Sequence, residues 1–209
     1  PETIFRGKTR GDLSGPYISQ FLLKDCPYGS HTMKQKYNAS LPGKDYLISY
    51  HSWLSVQNGI VTEIEHIDTI TPRYIRNGRD LAEYVHKDFP PQCFLNACMI
   101  LLGSGAKFDS GNPYISSKTQ SGFPTFGGPH ILFLLSSLAN LALKAAWFQK
   151  WLVHRRLRPE AFGGCIHNNL VAHTNYPIHK DIIDSSVLSM IYTRNKNNLL
   201  PIAYPEGCP

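Results

Sequence analysis

The sequence predicts a mainly α protein, a helical bundle joined to an irregular N-terminal region. Three observations carry that expectation. After Pro129 the chain runs to Leu157 without a glycine or proline, and most of that run is apolar. The segment "QCFLNACMILLGSG" (92–105) is apolar almost all round, the pattern of a buried helix. Residues 1–78, in contrast, are broken at short intervals by turn signals such as Pro16, Pro27, Pro42, Gly43 and Pro72.

Composition supports a folded chain. Of 209 residues, 42% are hydrophobic and 17% charged, so a core is affordable and the disordered class is excluded. The net charge of +6 favours anionic partners or substrates without naming one. No charged stretch followed by an apolar run opens the sequence, so no signal peptide is read. Pro1 stands where Met would open a gene product, which points to processing or to an internal segment. The five cysteines (26, 93, 98, 165, 208) form no C-x-x-C pair and read as mostly free thiols. No Cys/His cluster has zinc-ligand spacing.

In chain order, "SVQNGIVTE" (55–63) admits a hairpin with Asn58-Gly59 as its turn. "DLAEYVHKDF" (80–89) reads as a helix with Asp80 as N-cap and Pro90-Pro91 as stop. The helix over 92–103 has its stop at Gly103. "DSGNPYISSKTQSGFPTFGG" (109–128) is a long loop, a length often associated with function. Pro129 suits the first turn of the next helix. That helix, to Leu157, would be roughly 40 Å long. Ser136, Ser137, Asn140 and Lys144 interrupt its apolar run, so it reads as the most buried helix of a bundle and not as a membrane span. "DIIDSSVLSMIYTRN" (181–195) reads as one amphipathic helix capped by Asp181 or Asp184. The domain division is 1–78, a wrapping segment, and 79–209, the bundle part of the same domain.

The chemistry concentrates in "KWLVHRRLRPEAFGG" (150–164). On a continuous helix Lys150 and Arg158 stand about 12 Å apart along the axis and about 80° apart around it. Pro159 disfavours helix at Arg158, so the helix should end near Arg156 or Leu157 and Arg158 can fold back over its end. A compact lysine charge and a forked guanidinium would then face one oxyanion. The competing reading is a solvated basic helix end that opposes the helix dipole.

The stretch "ALKAAWFQKWLVHRRLRPEAFGG" resembles the first active-site motif of vanadium-dependent haloperoxidases, in particular algal and cyanobacterial bromoperoxidases: a lysine, seven residues, then Arg-Pro. "FDSGNPY", "GFPTFGGPH", "LLPIAYPEGCP" and the N-terminal "GDLSGPYISQFLL" extend the resemblance. It implies a helical-bundle architecture of the haloperoxidase/acid-phosphatase type, with vanadate as cofactor. Lys150 and Arg158 match two donors to its equatorial oxygens, and Lys150 also matches the group that polarises peroxide. The implied reaction oxidises bromide or another halide with hydrogen peroxide to hypohalous acid, which halogenates an organic nucleophile. A homo-oligomer is compatible with it, and no nucleic acid or membrane span is implied.

The family's axial histidine and acid–base histidine have no match among the nine histidines. The axial ligand is expected beyond Pro209, because the second motif usually follows "PEGxP"; the chain is thus expected to be a fragment inactive alone. His154 is either a supporting residue behind Lys150 or a packing histidine. Arg155 and Arg156 read as structural, and Gln149 as a weaker candidate for the halide pocket. Residues 110–128 carry no Asp or Glu, so no calcium site is expected there. Two other classes stay open: an acid-phosphatase or phosphatidic-acid-phosphatase-like phosphomonoesterase, which usually has six intervening residues, and a non-catalytic helical homologue.

Overall fold

The computed structural model describes residues 18–61, 67–87 and 89–207. Cys208 and most of "GDLSGPYISQFLL" lie outside them. The chain divides into two compact units. The first takes the described parts of Pro1–Tyr37 together with Pro72–Arg155; the second takes Asn38–Thr71 and Arg156–Pro209.

The first unit opens with a 3-10 helix, Ile18–Leu23, and an antiparallel hairpin of β1 (Cys26–Tyr28) and β2 (His31–Met33). Gly29 makes the turn with φ +59, a conformation that glycine adopts without a Cβ penalty. Leu22, Ile75 and Tyr84 form its core, with Leu23, Tyr37, Leu81 and Cys93 packed around them. Beside them lies a buried polar network. Gln35 Nε2 donates to the carbonyl of Phe21 (2.7 Å), and Asn96 Nδ2 donates to Gln35 Oε1 (3.1 Å). Burial raises the thiol pKa of Cys26 and Cys98, so neither is a reactive thiolate. Cys26, Cys98 and Cys165 carry free thiols.

Helices α2 (Gly78–Lys87) and α3 (Gln92–Gly103) follow, after a first helix of the second unit, α1 (Tyr50–Gln57). The cap of α2 is not Asp80. Asn77 Oδ1 accepts from the Asp80 backbone N–H (2.9 Å), which makes Asn77 the cap. Asp80 is instead buried and receives Arg73 Nη2 at 2.9 Å and the Arg76 backbone N–H at 3.1 Å. Helix α3 ends in a Schellman arrangement at Gly105 (φ +71), with bonds from Gly105 to the carbonyl of Leu102 and from Ala106 to that of Leu101. Gly103, expected as the stop, is the last residue of the helix. A Cβ there would meet Pro27 Cγ at 2.5 Å, so its smallness serves packing against β1.

The 109–127 loop is laced to itself. Asn112 Nδ2 donates to the Phe126 carbonyl (2.9 Å), and the Phe126 N–H donates to His130 Nδ1 (3.1 Å). Gly127 then caps α4 (Gly128–Trp147), with proline in its first turn as expected. Helix α4 contacts α3. It overturns the burial expectation, because none of its residues is buried. Phe133 and Leu138 are 66% and 64% exposed. Together with the turn that follows, Gly128–Val153 is long and apolar enough, by length and composition, to cross a membrane. Hydrophobicity specified a helix that prefers contact with apolar surface, but burial needs a partner on each face.

The second unit has its core at Tyr46, Leu47, Trp53, Leu199 and Ile202. Tyr46 and Ile202 exchange backbone hydrogen bonds of 2.8 and 3.1 Å, tying residues far apart in sequence. Strands β3 (Tyr37–Ser40) and β4 (Ile67–Arg73) pair as a two-stranded sheet. Asn58-Gly59 does not turn a hairpin. Gly59 (φ +79) and Ile60 close a Schellman motif on α1, donating to the carbonyls of Val56 and Ser55. Asn-Gly suits either role, because both need a residue at positive φ. Helix α5 spans Pro159–Val171. The expected helix over 181–195 is two: α6 (Lys180–Ile183), capped by His179 Nδ1, and α7 (Ser186–Asn195), capped by Ser185 Oγ. Asp184 closes α6 instead of capping a helix.

Candidate functional site

Helix α4 does not run on to Leu157. After Trp147 it widens into a π turn, Phe148–Val153, in which the His154 N–H donates to the Gln149 carbonyl at 2.9 Å, five residues back. Single π turns inside helices recur at functional sites. Lys150 sits in the middle of this one, exposed, with Nζ 4.6 Å from the centroid of the Trp151 ring. His154 is the C-cap and is also exposed. Arg155 takes φ +46, a left-handed conformation that stops the helix without glycine. The helix thus ends earlier than Arg156 or Leu157, and the left-handed residue ends it before the proline's steric effect is felt.

Arg158 is extended (φ −66, ψ 153) and is the N-cap of α5, with Pro159 in the first turn. Proline disfavoured helix before itself and at the same time opened a new one, because its fixed φ and missing N–H cost nothing at that position. The junction between the two units falls between Arg155 and Arg156. Lys150 is therefore carried by the first unit and Arg158 by the second.

What fixes Arg158 is the anchoring of α5. Glu160, 2% exposed, lies in its first turn, where a carboxylate favours the positive end of the helix dipole. The Glu160 carbonyl accepts from Trp53 Nε1 at 2.9 Å. A Cβ on Gly164 would lie 1.9 Å from Trp53 Cζ2, and one on Gly163 would lie 2.8 Å from Leu200 Cβ. Gly207 (φ +104) closes over the Glu160 carboxylate, where a Cβ would stand 2.5 Å from Oε1. "PEAFGG" and "PEG" thus fold as one construction: the glycines are where α5 meets α1, residue 200 and its own first turn.

The residues that support Arg158 carry no site signal in the sequence. Glu160 and Gly164 belong to a helix that the sequence analysis did not assign. Trp151 and the π turn gave no signal. Among the described residues, no three His, Cys, Asp or Glu side chains form a group able to hold a metal ion.

No family model matches the chain. Individual proteins do. A vanadium-dependent bromoperoxidase of Corallina pilulifera is 31% identical over 99% of this chain, and one of Ascophyllum nodosum is 33% identical over 99%. A third, of Corallina officinalis, is 34% identical over 81%. The chain spans 42%, 39% and 33% of the lengths of these relatives. Among solved structures, the homohexameric second vanadate-dependent bromoperoxidase of Ascophyllum nodosum matches 98% of this chain and 35% of its own, with a TM-score of 0.81 and 31% identity. Similarity in backbone and in sequence spans nearly the whole length of the chain, and the chain belongs to the vanadium-dependent bromoperoxidase family.

Proposed function

We propose that this chain supplies the first vanadate-binding motif of a vanadate-dependent haloperoxidase that oxidises bromide with hydrogen peroxide to hypohalous acid, for halogenation of an organic nucleophile. The carrying observation is the pair of solvent-facing cations, Lys150 in the π turn and Arg158 at the head of α5. Their chemistry fits a tetrahedral oxyanion. Lys150 offers three N–H donors on one compact charge, and Arg158 offers parallel donors from a planar fork. The positive end of the α5 dipole adds to the field at Arg158. Bound vanadate supplies Lewis acidity toward hydrogen peroxide without changing its oxidation state. Lys150 is the catalytic residue of the chain in this reading: it holds positive charge beside the reacting oxygen atoms. His154 stands behind it as a supporting residue. The solved relative is homohexameric, and a homo-oligomer is part of the proposal.

The test uses the full-length protein. Arg158→Lys keeps the charge and removes the fork, and should weaken vanadate binding about tenfold to a hundredfold, the loss of one charged hydrogen-bonding contact. Arg155→Lys should leave affinity unchanged. Lys150→Ala should lower both affinity and bromination rate. Circular dichroism on the same variants separates these losses from unfolding. Equal affinity in wild type, Arg158→Lys and Lys150→Ala would reduce the cluster to a solvated helix end.

A further inference from the structure

The π turn calls for a cause. None of the residues Phe148–Val153 is buried, so packing within the first unit does not force the extra residue into the helix. What the turn changes is local. On an α-helix neighbouring side chains diverge by about 100° and do not face each other. A turn closed over five residues spreads one more residue around each circuit, so successive side chains diverge less. Within this widened turn Lys150 reaches the face of its immediate neighbour, with Nζ 4.6 Å from the Trp151 centroid. Tryptophan is the aromatic ring that attracts an ammonium most strongly. A long lysine otherwise loses much of its rotamer freedom when it binds an anion.

We propose that Trp151 is a positioning residue for Lys150: within the π turn its indole face holds the ammonium by a cation–π contact, so that the remaining N–H donors are presented to vanadate. The inference rests on reading Lys150 as a vanadate donor. Trp151 touches neither vanadate nor substrate in this account; it acts only through Lys150. Part of the conformational cost of binding is met before the oxyanion arrives.

The experiment is a double-mutant cycle in the full-length protein, with orthovanadate as the probe and its dissociation constant as the readout. Trp151→Leu removes the aromatic face and should weaken vanadate binding about two- to fivefold, the range of a solvent-exposed cation–π contact. Trp151→Phe keeps a π face and should recover part of that loss. In a Lys150→Ala background, Trp151→Leu should cost nothing further. An equal loss with and without Lys150 would show that Trp151 serves packing alone and would overturn the inference. So would full affinity in Trp151→Leu when Lys150→Ala is weakened. Unchanged affinity in Lys150→Ala itself is a different failure, because it removes the vanadate reading on which the inference stands.

Discussion

Helices α4 and α5 each lead to one of the two cations, and they are built on opposite principles. Helix α4 is the longer and more apolar, yet none of its residues is buried in this chain. Helix α5 carries a buried Glu160 and two glycines, and it is keyed to Trp53 and Leu200 through spaces no Cβ would fit. Hydrophobic content therefore says what a helix can bury, and close complementarity says what it does bury. Arg158 inherits its position from the tertiary anchoring of α5, whereas Lys150 stands in a turn whose hydrogen bonds are local.

The largest effect expected from breaking this contrast is at Gly164. Gly164→Ala places a methyl group against the Trp53 ring and should destabilise the second unit by roughly 1–3 kcal/mol, read by denaturant unfolding. A Trp53→Leu background should shrink that cost, because the opposing ring is gone. Full additivity of the two changes would mean that the contact between Trp53 and Gly164 does not key the helix.

A smaller effect concerns pH. Burial lowers the pKa of His167 below its ordinary 6.5, and its Nδ1 accepts from the Asn198 N–H at 3.4 Å. The neutral imidazole is therefore the folded form. The unfolded chain binds the proton more readily, so stability contributed by this group is present above pH 6.5 and is lost as pH falls from there through the lowered folded value. His167→Gln should flatten the stability profile in that window. An unchanged profile would assign the pH dependence to other groups.

The smallest effect on folding is expected on α4. Phe133→Gln with Leu138→Gln should leave the unfolding free energy of this 209-residue chain within about 0.5 kcal/mol, because neither side chain is buried. Self-association, followed by light scattering, should fall in the same variant, since two large exposed apolar side chains are removed. A loss of several kcal/mol would place α4 in the core and end the contrast with α5.

Consecutive residues carried the helical class, the start of α4 at its proline and the extent of α3, because local patterning is written along the chain. The resemblance of "KWLVHRRLRPEAFGG" to a haloperoxidase motif was legible for the same reason. Proline and glycine were the ambiguous signs. Pro159 opened a helix where it was read as a stop, and Asn58-Gly59 capped α1 instead of turning a hairpin. Gly163-Gly164 sits within a helix because Trp53 and Leu200, distant in sequence, occupy the space of the missing side chains. Tertiary structure alone decided the anchoring of α5, the burial of Glu160 and the exposure of α4. Each of these depends on which surfaces meet, and a chain's local pattern fixes the surfaces it can offer but not the surfaces that meet them.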